Sequence, residues 1–195
     1  MRKLKYYGYI YNNMVNKITS WNYLEPLLFK DWVHLSEISK AMEKNHSVVR
    51  QHLNEFEKRG ILERKNLGKM TFYKIKKNPL LIDVISLVEK SKLIKQSDDL
   101  HIKEVVDFLH NTLSEDNKAA IFGSSVKDAK KAGDIDILLI GKINFDIKQL
   151  ERNINKKVHL INVKKLEDVS PALKEEIKSK HLIVQGCEEI IKWLI

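Results

Sequence analysis

IFGSSVKDAKKAGDIDILLIG, residues 121–141, joins an apolar run to a Gly-Ser turn, a basic loop and a second apolar run entered through Asp134 and Asp136. A strand sends successive side chains to opposite faces, so Asp134 and Asp136 project together while Ile135 and Ile137 point to the core. Two carboxylates that close repel each other unless a cation neutralises them. Magnesium suits that task, because it takes one or two carboxylates and completes its shell with water and phosphate oxygens. Gly123 permits a tight turn after the first strand, and Ser124 offers a hydroxyl and a backbone N–H to a triphosphate. The stretch therefore predicts strand, turn, loop and strand around a metal–nucleotide site, and phosphoryl transfer needs little beyond such positioning and charge stabilisation.

The surrounding half of the chain reads as a small mixed α/β domain, 98–195. HIKEVVDFLHNTL predicts an amphipathic helix, KAAIFG, DIDILLIG, KVHLINV and HLIVQG predict strands, and LKEEIKSK and EEIIKWLI predict helices. FGSS followed by GDIDILLIG resembles the signature of the DNA polymerase β-like nucleotidyltransferases, in particular the minimal nucleotidyltransferases. The resemblance is carried by residues 119–163. It implies that Gly123 and Ser124 bind the phosphates of ATP or another nucleoside triphosphate. It implies too that Asp134 and Asp136 bind two magnesium ions, with a third carboxylate on a later strand helping to activate the attacking hydroxyl. Here that later strand, KKVHLINV, carries His159 in the carboxylate's place. Histidine can act as a base but is a poor magnesium ligand, which prefers oxygen. The loop reads SVKDAKK, without the family's frequent Arg and second Gly, and its Lys127, Lys130 and Lys131 are candidates for phosphate contact.

The net charge of +9 is unevenly spread. Residues 1–97 hold 19 Lys+Arg against 9 Asp+Glu, whereas residues 98–195 hold 16 against 17. The excess suggests a polyanion partner for the first half. SWNYLEPLLF predicts a short helix with Ser20 as N-cap. Leu35, Ile38 and Ala41 recur at helical spacing. A second helix follows KNHS and runs to about Arg59, with Val49, Leu53 and Phe56 on one apolar face and Gly60 ending it. ILERKNLGKMTFYKI predicts a hairpin around NLGK. Helix, helix and basic hairpin over 20–78 resemble a winged helix-turn-helix DNA-binding domain. With Val49, Leu53 and Phe56 inward, Ser47, Arg50, Gln51 and Asn54 are candidates for base contacts in the major groove of double-stranded DNA. Lys65, Lys69 and Lys74 belong to the hairpin region 58–77, which has eight basic residues and only Glu63 opposing them, suited to phosphates.

Asn78-Pro79 introduces an apolar helix over 79–97, with Pro79 in its first turn, available to pack within the chain or against a second copy in a homodimer. KQSDD, 95–99, reads as the domain boundary, and 1–19 as an N-terminal arm with no assigned role. Cys187, the single cysteine, is expected as a small buried residue, and its solitude rules out an intrachain disulfide. No secretory signal and no span of about 18 apolar residues is present, so the expected setting is the cytoplasm, away from membranes. The expected fold is α+β, a winged helix-turn-helix followed by a nucleotidyltransferase-like domain with a central sheet. Three functions follow: transfer of AMP from ATP to an acceptor such as a partner protein, nucleotide-sensing transcription regulation, and, from the resemblance alone, an antitoxin role beside a HEPN-type toxin.

Overall fold

The computed structural model describes residues 20–195, and the N-terminal arm expected over 1–19 lies outside the described residues. The chain divides into two compact units between Ser91 and Lys92.

The first unit opens with a 3-10 helix, Trp21–Leu27. The expected cap at Ser20 is not formed: Ser20 itself is helical, and its side chain caps nothing. Pro26 explains the short, tight form, since it supplies no N–H and pushes the residue before it away from α geometry. A two-residue strand β1, Val33–His34, leads directly into helix α1, Leu35–Met42, whose Ser36 N–H donates to the His34 ring. Helix α2, His46–Lys58, starts from Asn45, whose Oδ1 accepts from the Val48 N–H at 3.0 Å. Gly60, in the left-handed region at φ 71°, then turns the chain into the hairpin. Strands β2, Leu62–Leu67, and β3, Met70–Ile75, pair antiparallel across a Gly68–Lys69 turn, and β3 also pairs with β1. Val49, Leu53 and Phe56 of α2 are buried, as are Leu24, Leu27, Ile38, Leu62 and Tyr73 on the other elements of this unit. Burying side chains of this size contributes about 1.5–3 kcal/mol each. Ala41 is exposed, so the apolar face of α1 is carried by Leu35 and Ile38.

Helix α3, Leu81–Gln96, follows a turn in which Asn78 Oδ1 accepts from the Leu80 N–H at 2.9 Å. Pro79 therefore lies in this turn, ahead of the helix proper. The division between units falls inside α3, earlier than KQSDD, because Leu93 near its end packs on the core of the second unit.

The second unit begins with helix α4, Leu100–Thr112, capped by Asp99. Strands β4, Lys118–Phe122, β5, Asp134–Ile140, β6, Lys157–Val163, and β7, His181–Gln185, form one sheet in the order β6-β5-β4-β7. β4 runs antiparallel to both β5 and β7, and β5 and β6 are parallel. Parallel neighbours need a crossover, supplied here by helix α5, Ile147–Ile154, capped by Asp146. Helices α6, Pro171–Ser179, and α7, Cys187–Leu194, flank β7 in the chain. The core joins Ile102, Val105 and Leu109 of α4, Ile121, Ile135 and Ile137 of the sheet, and Leu150 and Ile154 of α5. Cys187 departs from expectation: it opens α7 half-exposed, as the first residue after the left-handed Gly186. Among the described residues no helix is long and apolar enough to cross a membrane.

Candidate functional site

Strand register assembles the site. Phe122 pairs with Asp136 across β4 and β5, so the turn that follows Phe122 lies against the aspartate end of β5. Gly123 holds φ 77°, and a Cβ there would come 2.5 Å from Asp136 Oδ2. Both the left-handed backbone and this contact require glycine, and its missing side chain leaves the Asp136 carboxylate room at the turn. The Gly123 N–H donates to Lys180 O at 3.3 Å, so this amide is engaged in holding the turn to the chain before β7. Gly123–Val126 forms a single 3-10 turn in which Ser124 is exposed, while Ser125 is buried and its hydroxyl donates to Phe122 O at 3.2 Å.

Asp134 is exposed and Asp136 half-buried, with Ile135 and Ile137 fully buried between and beyond them, as a strand with one core face requires. On the parallel neighbour, Lys157 pairs with Asp134 and His159 with Asp136. His159 Nδ1 lies 3.1 Å from Asp136 Oδ1, with the histidine side chain 64% exposed and the aspartate 20%. Gly123, Ser124, Asp134, Asp136 and His159 thus come together at one end of the sheet. Lys157 is the member that sequence reasoning passed over. Its signal was the alternation in KVH, which places Lys157 on the same strand face as His159.

The loop between turn and strand is packed. Ala129 and Ala132 are buried, and Asp128 accepts from the Lys131 N–H at 3.2 Å, a bond that holds its carboxyl below the usual carboxylate range. Lys156 Nζ donates to Ala132 O at 2.7 Å and Lys130 O at 3.2 Å, fixing the segment that delivers Asp134. Lys127, Lys130 and Lys131 are exposed on the loop's outer side.

The oxygen donors Asp134 and Asp136 fit one magnesium ion that keeps positions for water and phosphate oxygens. His159 adds a hydrogen bond to that set rather than an oxygen. Among the described residues no three His, Cys, Asp or Glu side chains come together as a metal-holding group. The chemistry fits a two-carboxylate site, not an all-protein cage.

In the first unit, Ser47, Arg50 and Gln51 are exposed on α2, whereas Asn54 is half-buried with its Oδ1 shielded. Lys69 is exposed at the hairpin turn. Lys65 and Lys74 sit differently: Lys65 Nζ lies 4.1 Å above the Trp32 ring, and Lys74 Nζ pairs with Asp31 Oδ1 at 2.6 Å. The Lys74 bond raises the lysine pKa and lowers that of Asp31. Alternation from the buried Leu62, Tyr73 and Ile75 puts Lys65 and Lys74 on the sheet face opposite the helices.

A mixed α/β domain with a glycine turn set against paired strand aspartates is the class defined by this fold and site. Residues 99–184 match the family model described as "Nucleotidyltransferase domain", and the second unit thus carries a nucleotidyltransferase domain. Neither a curated protein nor a solved structure matches the chain.

Proposed function

We propose that the second unit binds a magnesium–nucleoside triphosphate, ATP being the simplest, and transfers its nucleotidyl group to an acceptor hydroxyl. The reading rests on the register that sets Gly123 against Asp136 and Asp136 against His159. Magnesium, when bound through Asp134 and Asp136, would neutralise the triphosphate and the charge developing on it. Ser124 meets the phosphates, and Lys157 stands beside Asp134 to add positive charge. With Nδ1 donating to the Asp136 carboxylate, the imidazole presents Nε2 as the atom that takes the acceptor's proton. The acceptor oxygen bonds to the α-phosphorus as pyrophosphate leaves. Incubation of the full chain with labelled triphosphates and magnesium, with and without EDTA, tests this by labelled product and released pyrophosphate. No label in any acceptor and no pyrophosphate from any common triphosphate would remove the enzyme reading.

The first unit, in the same proposal, is a winged helix-turn-helix that binds duplex DNA, with α2 as recognition helix and β2–β3 as wing. The order of elements and the basic excess of residues 1–97 support it. Both ligands are cytoplasmic. A second reading, a regulator that senses nucleotide without transferring it, is favoured by one observation: His159 stands where a carboxylate would complete the oxygen donors.

A further inference from the structure

The Asp136 carboxylate divides its two oxygens between opposite neighbours. Oδ1 lies 3.1 Å from Nδ1 of His159 on β6, and Oδ2 faces the Gly123 turn after β4, where it leaves no room for a Cβ. The β6 side is thus closed by a side chain that carries no oxygen. Two residues nearer the start of both strands, Lys157 pairs with Asp134. Paired residues share a sheet face, and so do alternate residues along a strand. Asp134, Asp136, Lys157 and His159 therefore form the corners of one rectangle, about 5 Å across the strands and about 7 Å along them. The neighbouring lysines are committed elsewhere. Lys156 Nζ donates to Ala132 O and Lys130 O, and Lys131 pairs with Asp128 at 3.3 Å. Lys157 is exposed, and among the described residues it enters no ion pair.

One divalent ion offsets two carboxylates. A second ion beside it would need further oxygen donors. β6 offers an ammonium and an imidazole instead, and among the described residues no third carboxylate is grouped with the pair. A triphosphate nevertheless brings more negative charge than one divalent ion cancels. Lysine suits the remainder, because its compact ammonium carries three donors on a flexible stem and forms strong bonds to phosphate oxygens. We propose that the site takes a single divalent cation, through Asp134 and the Oδ2 of Asp136 on the Gly123 side, and that the Lys157 ammonium meets the triphosphate directly on the β6 side. The inference rests on the triphosphate-binding reading of this site and deepens it. One ion and one lysine hold the substrate, in place of the two ions that the resemblance implies. A lysine across from Asp134 also opposes a cation arriving alone, so the ion enters best as its triphosphate complex.

The test uses the full chain, manganese(II) as a divalent ion that can be counted, and a non-hydrolysable ATP analogue. Electron paramagnetic resonance should count one manganese ion per bound analogue, and calorimetry measures the affinities. Lys157→Gln alters an exposed position, so it should melt with the wild type. It should bind the manganese–analogue complex about tenfold more weakly, the loss expected of one charge-assisted hydrogen bond. It should yet bind manganese alone about threefold more tightly, because a like charge is gone. Lys157→Arg should keep the wild-type affinity for the analogue. Two manganese ions per analogue in the wild type would overturn the single-ion site. Lys157→Gln binding the complex as tightly as the wild type would overturn the lysine contact while leaving triphosphate binding in place. A wild type that binds the analogue neither with manganese nor without it would remove the triphosphate reading, and this inference with it.

Discussion

His159 and Asp136 stand side by side on parallel strands, in register, with Nδ1 and Oδ1 3.1 Å apart. The histidine therefore does not merely occupy a sequence position where a carboxylate would be expected. It is bonded to the carboxylate on which the site depends, and each of the two constrains what the other can do.

If His159 takes the acceptor's proton, His159→Ala should abolish nucleotidyl transfer while leaving triphosphate binding intact. His159→Asp would restore a third oxygen donor and should retain or raise transfer. Pyrophosphate release, read alongside a thermal shift with ATP, separates the two effects. Activity gained only in His159→Asp would establish the sensing role for the natural protein.

Paired carboxylates should make triphosphate binding depend on the cation. ATP with magnesium should raise the melting temperature, ATP with EDTA much less, and Asp136→Asn should erase the difference. A wild type showing no metal-dependent shift with any common triphosphate at millimolar concentration would contradict the site.

Gly123→Ala places a methyl group 2.5 Å from Asp136 Oδ2 on a backbone that disfavours side chains. The conformational strain alone should cost about 1–3 kcal/mol. The displaced aspartate should cost the magnesium-dependent shift as well. Chemical denaturation measures the first loss and thermal shift the second.

These expectations rest on parts of the chain that sequence made legible to different degrees. Strands β4, β5 and β7 could be read because both of their faces are buried, leaving near-continuous apolar runs such as DILLI and HLIV. Helix α5 escaped notice because its apolar positions are sparse: Leu150 and Ile154 are buried among charged neighbours. Its capping Asp146 followed by Ile147, Leu150 and Ile154 was the available signal. Strand β1 is two residues long, too short for any period. Counting basic residues in the hairpin could not separate its faces. Once Leu62 is known to be buried, alternation alone sends Arg64 toward the helices and Lys65 away from them.

On DNA, the two groups of residues should separate by behaviour. Lys69→Ala should weaken binding to all duplexes alike and flatten the salt dependence, because a phosphate contact releases counterions. Gln51→Ala should instead reduce preference for a specific site by about 1–3 kcal/mol, as loss of a bidentate base contact does. Lys74→Ala, which breaks the bond to Asp31, should leave duplex affinity nearly unchanged. Gel shifts at two salt concentrations with the full chain decide among these.

Tyr73 makes the first unit sensitive to alkali. Its folded pKa is raised by burial, so its contribution is fully present below the ordinary tyrosine value of about 10 and is lost as pH rises through the folded value. Thermal melts at neutral pH and above pH 10 should show a steeper loss for wild type than for Tyr73→Phe.

β6 is one of the two outermost strands of its sheet, and among the described residues it pairs with β5 alone. Residue 159 thus sits at a margin, exposed to solvent, where an exchange of side chain opens no core and breaks only the hydrogen bond to Asp136. Evolution can rewrite this one position without refolding the domain around it. A lineage holding this scaffold could pass from catalyst to receptor and back by single codon changes, with the aspartates and the glycine turn kept as they are.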